Sequence, residues 1–346
     1  MTWRGKTLVL LLVTGLAGCG TPSLSPALHR FEFTSPHMGS LFTITLYAAD
    51  EPQAQTAAHA AFERIAALDA IMSDYQADSE LMKLCDQPVD KPIAVSADLF
   101  EILERAQKFS ELSGGAFDVT VGPLVRLWRF ARKKKALPTP IEVTAASGAV
   151  GFKNVRLNRK DRTVTLLANG MRLDLGGIAK GYAADQALRL LRDKGISHAL
   201  VAASGDIALG DPPPGMKGWK TGITAIDVKG NDTSRSLVLH NQGISTSGDT
   251  EQYVEIDSVR YSHIVDPRTG LGLTNRIQVT VVAPDATTTD ALATALCVLG
   301  VERGLALADS LPGVSAMILT KQGAQTHTFF SRRFNSLPQT PKEIDP

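Results

Sequence analysis

Asp290 and Thr294 stand four residues apart in the run Thr287-Thr288-Thr289-Asp290-Ala291-Leu292-Ala293-Thr294. On a helix, a carboxylate and a hydroxyl at that spacing share one face, one turn apart. Two hard oxygens so placed suit Mg²⁺, which keeps several waters and draws its remaining ligands from substrate phosphates. The run also reads as a plain helix start, with a threonine N-cap and an aspartate at the positive end of the helix dipole. A second cluster is Asp174-Leu175-Gly176-Gly177-Ile178-Ala179-Lys180-Gly181-Tyr182, where a strand-like run stops at adjacent glycines and a helical period begins. Such glycines admit positive φ and close approach by another molecule, and free N–H groups at a helix start suit phosphate oxygens. A strand–helix turn with no ligand accounts for the same residues. The spacing matches neither of the two standard glycine-rich nucleotide fingerprints.

Two further segments hold polar groups in turn-like settings. Gly243-Ile244-Ser245-Thr246-Ser247-Gly248-Asp249 reads as a loop after a strand, either an ordinary hairpin loop or a set of phosphate donors. His263-Ile264-Val265-Asp266-Pro267-Arg268-Thr269-Gly270 carries a strong Asp-Pro-x-Thr-Gly turn signal beside one histidine. A histidine there is either structural or a proton acceptor.

The elements that must position these groups mix strands and helices without a regular β-α-β rhythm, which predicts an α+β fold. Phe31 to Tyr47 alternates as a strand or hairpin around Met38-Gly39-Ser40, and residues 52–72 carry a helical apolar stripe. Ser96 is the expected N-cap of a helix over 97–112. The Lys/Pro stretch 132–140 reads as an exposed insertion. Strands are expected over 219–228, 236–245, 253–256 and 278–282, a helix over 289–299 closed by Gly300, and a last hairpin at 316–330. Cys85 and Cys297 lack a metal-ligand pattern and read as two buried thiols or, in an oxidising compartment, a disulfide.

The chain has 346 residues and a net charge of +1, which is globular in composition and argues against a nucleic-acid surface. Arg4 and Lys6 precede an apolar run from Leu8 to Val13, followed by Leu16-Ala17-Gly18-Cys19. That order reads as a lipoprotein signal over 1–18 with Cys19 lipidated, or as an ordinary secretory signal with a chance cysteine; a Pro/Ser-rich tether is expected over 19–30. One domain is expected over 31–335, with a polar tail over 336–346. The implied location is the periplasmic side of a bacterial envelope membrane, held through the lipid on Cys19.

Taken together, the motifs resemble the ApbE family of FAD:protein FMN transferases. They are Met-Ser-x-Tyr at 72–75, Gly-x-Phe-Asp-Val-Thr-Val-Gly-Pro-Leu at 115–124 and the glycine corner at 174–185. Further along come Ser-Thr-Ser-Gly-Asp at 245–249, the His263 segment at 263–270 and Thr-Asp-Ala-Leu-Ala-Thr-Ala at 289–295. The resemblance implies a single domain of largely antiparallel strands with packed helices. It implies FAD as substrate, split with Mg²⁺ so that FMN joins a threonine of an acceptor protein and AMP leaves. It places Met38, Ala116, Phe117, Asp118, Asp174, Lys180 and Ile264 around FAD. The Mg²⁺ ligands would be the Gly177 carbonyl and the side chains of Asp290 and Thr294. His263 is the candidate base, since a threonine hydroxyl is a poor nucleophile without one. The family's usual clients are exported flavoproteins, such as subunits of sodium-translocating NADH:quinone reductase or Rnf complexes. The flavinylated Asp-x-x-Thr-x-Ala-Thr pattern is absent from this chain, so modification is expected in trans. Ala293 stands where some members carry a second carboxylate, and Ala203-Ser204-Gly205-Asp206 where a Gly-Gly pair is common. A pyrophosphatase releasing FMN to water and a non-catalytic flavin-binding lipoprotein are the alternative readings.

Overall fold

The computed structural model describes residues 27–340, apart from 224–234, 249–252 and 324. The signal segment 1–18, Cys19 and most of the tether lie outside the described residues.

The described residues open with a hairpin of β1 (His29–His37) and β2 (Ser40–Ala48), so the first strand takes in the last two residues of the expected tether. Helix α1 (Glu51–Met72) follows, capped by Asp50, and then α2 (Glu80–Cys85), β3 (Ile93–Ala94) and α3 (Ala97–Leu112). The expected cap of α3 is met: the Ser96 hydroxyl accepts from Leu99 N at 3.2 Å. The segment carrying Trp128 and Phe130 forms α4 (Gly122–Lys134), and a Thr139/Glu142 capping box starts α5 (Pro140–Ser147). Residues 132–140 are therefore the end of one helix and the start of the next, not an insertion.

Strands β4 (Val155–Asn158) and β5 (Thr163–Leu166) lead through the glycine corner into α6 (Ala179–Asp193). Then come β6 (Ala199–Ala203), β7 (Asp206–Leu209), β8 (Trp219–Ile223), β9 (Arg235–Leu239) and β10 (Gln242–Gly248). The continuous strand expected over 236–245 is two strands. Asn241 takes φ +50 between them, and β9 and β10 belong to different sheets. The β11 (Tyr253–Ile256) and β12 (Val259–Ser262) hairpin precedes β13 (Ile277–Ala283) and α7 (Ala286–Ser310). The chain ends with β14 (Ser315–Gln322), β15 (Gln325–Phe330) and β16 (Gln339–Thr340), the last within the stretch read as a tail.

Eight strands form one sheet in the order β1-β2-β6-β7-β10-β13-β14-β15. Every neighbouring pair in it is antiparallel. Alternation along each strand sorts side chains to two faces. On β14, Ala316 and Ile318 join the helix-side core while Met317 and Leu319 join a second cluster beneath. Helices α1, α6 and α7 cover the first face. The small sheet β16-β9-β8 covers the second, through Trp219, Leu237 and Leu239. A third cluster packs α4 and Trp128 against β11 and Val265. The α+β, largely antiparallel expectation is met.

Helix α7 begins earlier than its threonines indicate. Asp285 is the N-cap, accepting from Thr288 N at 2.8 Å. Gly300 (φ +76, ψ −173) leaves the helical region, closing the first helical segment where expected, with a second segment running on across the kink to Ser310. Asp290 therefore lies in the second turn, buried, and not at the dipole's positive end.

Candidate active site

The glycine corner is shaped by Asp174. Its carboxylate accepts from Gly176 N at 2.8 Å, and its own N–H donates to Val119 O at 2.7 Å. Arg129 of α4 bridges Asp174 (3.3 Å) and Asp74 (2.5 Å), with its guanidinium 4.1 Å from the Tyr75 ring centre. Burial, with Asp74 adding to it, pushes the Asp174 carboxyl above the usual carboxylate range, against the pull of Gly176 N–H and Arg129. The Met-Ser-x-Tyr motif thus meets the corner through one arginine.

Helix α6 starts with no side-chain cap of its own. Asp290 of α7 supplies an acceptor, taking a hydrogen bond from Gly181 N at 3.0 Å. Gly181 makes the approach possible: a Cβ there would fall 2.2 Å from Ala286 O and 2.9 Å from Asp290 Cβ. One turn before Gly181, Gly177 faces Thr294. A Cβ at Gly177 would sit 2.9 Å from Thr294 Oγ1 and 3.4 Å from the Phe117 ring. The fold therefore brings Gly177, Asp290, Thr294 and Phe117 together, although Phe117 lies 60 residues before Gly177 and Asp290 lies 113 after it. Asp185, one turn further along α6, holds the start of α7 by accepting from Ala286 N and Thr287 N at 2.9 and 2.8 Å.

Lys180 joins the same cluster by an ion pair to Asp206 of β7. Burial opposes its charge, but the carboxylates of Asp290 and Asp206 outweigh burial and hold the ammonium protonated well above its ordinary range. Burial also raises the Asp290 carboxyl; Asp206 adds to the rise, and Lys180 and Gly181 N–H oppose it. Such a carboxylate gains most from a cation.

The other expected residues come from three further segments of the chain. Met38 takes φ +51 in the β1–β2 turn, and its N–H donates to Asp69 of α1 at 3.0 Å. Ala116 and Phe117 are buried, Phe117 N donating to Ser113 Oγ at 3.0 Å. Asp118 points its carboxylate into the protein, where Thr120 N, Thr120 Oγ1 and Phe152 N donate to it. Its acceptors are spent on shaping the 116–120 loop.

His263 is half-buried at the start of the 263–270 loop, next to Ile264, which packs in the same core as Phe117 and Ile178. Asp266 closes that loop by accepting from Arg268 N, Nε and Nη2, and Arg268 Nη2 reaches Val298 O at 3.4 Å. Val298 is one turn beyond Thr294, so the loop is fixed to the helix that carries Asp290 and Thr294.

The segment read as a loop, whether an ordinary hairpin or a set of phosphate donors, is a strand over its described residues. Residues 242–248 are strand β10, with Ser245 Oγ bonded to Thr289 Oγ1 at 2.7 Å and Thr246 Oγ1 to Thr280 Oγ1 at 2.9 Å. Those hydroxyls tie the sheet to α7 and to itself; Asp249 lies outside the described residues. Reading from sequence also missed Arg129 and Asp206, whose partners lie 45 and 26 residues away along the chain.

Among the described residues, no group of three or more His, Cys, Asp or Glu side chains is arranged to hold a metal. A hard cation that binds mainly through waters and phosphates needs no such group. One buried carboxylate at Asp290, a hydroxyl at Thr294 and the backbone of Gly177 beside it are the donor types such an ion takes. The residues fit it. Cys85 and Cys297 form no disulfide; Cys297 is buried as expected, and Cys85 is half-buried.

Residues 38–318 match the family model for ApbE. The chain belongs to the ApbE family. It is 35% identical over 335 residues to the FAD:protein FMN transferase of Treponema pallidum, covering 92% of this chain and 91% of that one. It is 33% identical over 302 residues to the FAD:protein FMN transferase of Vibrio cholerae, covering 85% and 87%. The solved flavin transferase ApbE from Vibrio cholerae superposes with a TM-score of 0.81 at 30% identity, over 90% of this chain and all of that one. The Pseudomonas stutzeri flavinyl transferase ApbE, in its apo form, gives a TM-score of 0.80 at 29% identity. This ApbE chain thus shares length and architecture with those proteins.

Proposed function

We propose that this chain is an FAD:protein FMN transferase that attaches FMN through a phosphoester to a threonine of an exported acceptor flavoprotein and releases AMP. The observation that carries the reading is the meeting of Gly177, Asp290 and Thr294 at the start of α6, in a chain of the ApbE family. Asp290 and Thr294, with the Gly177 carbonyl, are the proposed holders of Mg²⁺. When bound, that ion would neutralise charge on the two phosphates and stabilise the departing AMP.

The chain's own residues do the rest. Lys180 sets a permanent positive charge beside Asp290, where the phosphates of FAD are proposed to lie. Phe117 and Met38 border the place for the flavin half, and Asp174 holds the corner rigid through Gly176. His263 takes the proton from the acceptor threonine as its oxygen attacks the phosphorus of the FMN half. The bond between that phosphorus and the bridging oxygen breaks, and its electron pair leaves with AMP. The protein forms no covalent intermediate, so positioning and charge carry the rate. Sodium-translocating NADH:quinone reductase and Rnf subunits are the proposed clients, and Cys19 the proposed lipid anchor that holds the enzyme at the periplasmic face of the membrane.

The test is to mix the chain with FAD, Mg²⁺ and an acceptor domain and follow the acceptor's mass. A gain of one FMN that disappears with EDTA supports the reading. No gain at saturating FAD and acceptor rejects it.

A further inference from the structure

Asp206 was not among the residues expected to bind FAD, yet it is buried (2% exposed) and pairs with Lys180. Its backbone is held on both sides: β7 pairs Asp206 with Ala203 of β6 and with Ser245 of β10. The turn before it is held too. Ser204 takes φ +55 and bonds through its hydroxyl to Ser40, two residues from Met38. A Cβ at Gly205 would come within 2.9 Å of Thr246 O, so this turn lies pressed against β10. Ser245, the register partner of Asp206, bonds to Thr289 next to Asp290. The Asp206 carboxylate is thus a fixed point tied to the Met38 turn on one side and to α7 on the other.

Lysine reaches its ammonium along a flexible four-carbon stem whose rotamers are costly to order. A fixed, buried anion selects one of them. Resting on the transferase reading, we infer that Asp206 is a positioning residue: its carboxylate holds the Lys180 ammonium where the phosphates of the dinucleotide bind. The acidic side chain repels phosphate and acts only through Lys180. A purely structural ion pair would support folding and leave FAD binding untouched.

The two roles separate in FAD affinity, read from flavin fluorescence on the full chain. Asp206→Asn and Lys180→Met are each expected to weaken FAD binding at least about tenfold. The double variant is expected to bind no more weakly than Lys180→Met, because Asp206 acts through that lysine. It removes both charges of the pair and is expected to melt closer to the wild type than Lys180→Met, which strands the Asp206 carboxylate. Asp206→Glu keeps the charge but moves it by one methylene; weaker binding at an unchanged melting temperature is expected. Wild-type affinity in Asp206→Asn or in Asp206→Glu, or losses that multiply in the double variant, overturns the role of Asp206. A wild-type chain that neither binds FAD nor transfers FMN rejects the transferase reading, and this inference with it.

Discussion

At Asp290 a carboxylate is buried against a helix start, a lysine and a second carboxylate, with one hydrogen bond from Gly181 N. Replacing it with alanine is expected to reduce Mg²⁺-dependent FMN transfer by at least about a hundredfold while FAD binding changes little, since the charge is used mainly in the transition state. Transfer rates and flavin fluorescence check this, and full activity in Asp290→Ala would show the metal assignment is wrong. Gly181 is a steric requirement of the same site. Its missing side chain lets Ala286 O approach, so Gly181→Ala is expected to cost about 2–3 kcal/mol by forcing α6 from α7. Chemical denaturation measures it, and a neutral result would show the contact yields freely. Asp290 and Thr294 were legible as a pair because they stand four apart on one helix face; the place of Gly177 beside them was implied only by the family resemblance. Asp206 and Arg129 were not, because a hairpin and a helix crossing create their contacts.

Among the elements, α3 was read to its first residue because Ser96 caps it locally. Helix α7 was not, because three threonines offered plausible caps and the true cap, Asp285, precedes them. The later part of β10 was read as a loop because serines and glycines resemble turn residues; its place between β7 and β13 overrides that composition. Packing between elements also carries charge. Arg64 of α1 binds both carboxylate oxygens of Asp98 on α3, and Tyr182 of α6 donates to the same carboxylate. The Arg64 hydrogen bond, aided by its charge, holds the Asp98 carboxyl below the usual range despite partial burial. A lowered folded-state pKa contributes stability that is full above the unfolded value, about 3.9, and is lost as pH falls through the folded one. Asp98→Asn is therefore expected to cost about 2 kcal/mol at pH 7 and much less at pH 3. Urea melts at both pH values check the sign, and an equal loss at both would remove the charge from the account.

For the whole molecule, one antiparallel sheet braces both halves of the site: β6 and β7 present the Ser204–Asp206 turn, while β13 leads into α7. Alternating strands made the α+β class legible, but the order of eight strands depends on long-range pairing that local sequence does not record. The lipoprotein reading rests on Arg4, Lys6 and the Leu16-Ala17-Gly18-Cys19 run alone. Cys19→Ser is expected to abolish palmitate incorporation and release the enzyme from the membrane fraction. Retained labelling would assign the lipid elsewhere.

The most direct measurement follows both halves of one substrate, using FAD labelled in its flavin and its adenine, with Mg²⁺ and an acceptor domain. Acceptor-bound FMN and free AMP are expected in equal amounts, with both products lost when EDTA is added. Intact FAD after prolonged incubation, or FMN released to water beside an unmodified acceptor, would contradict the account.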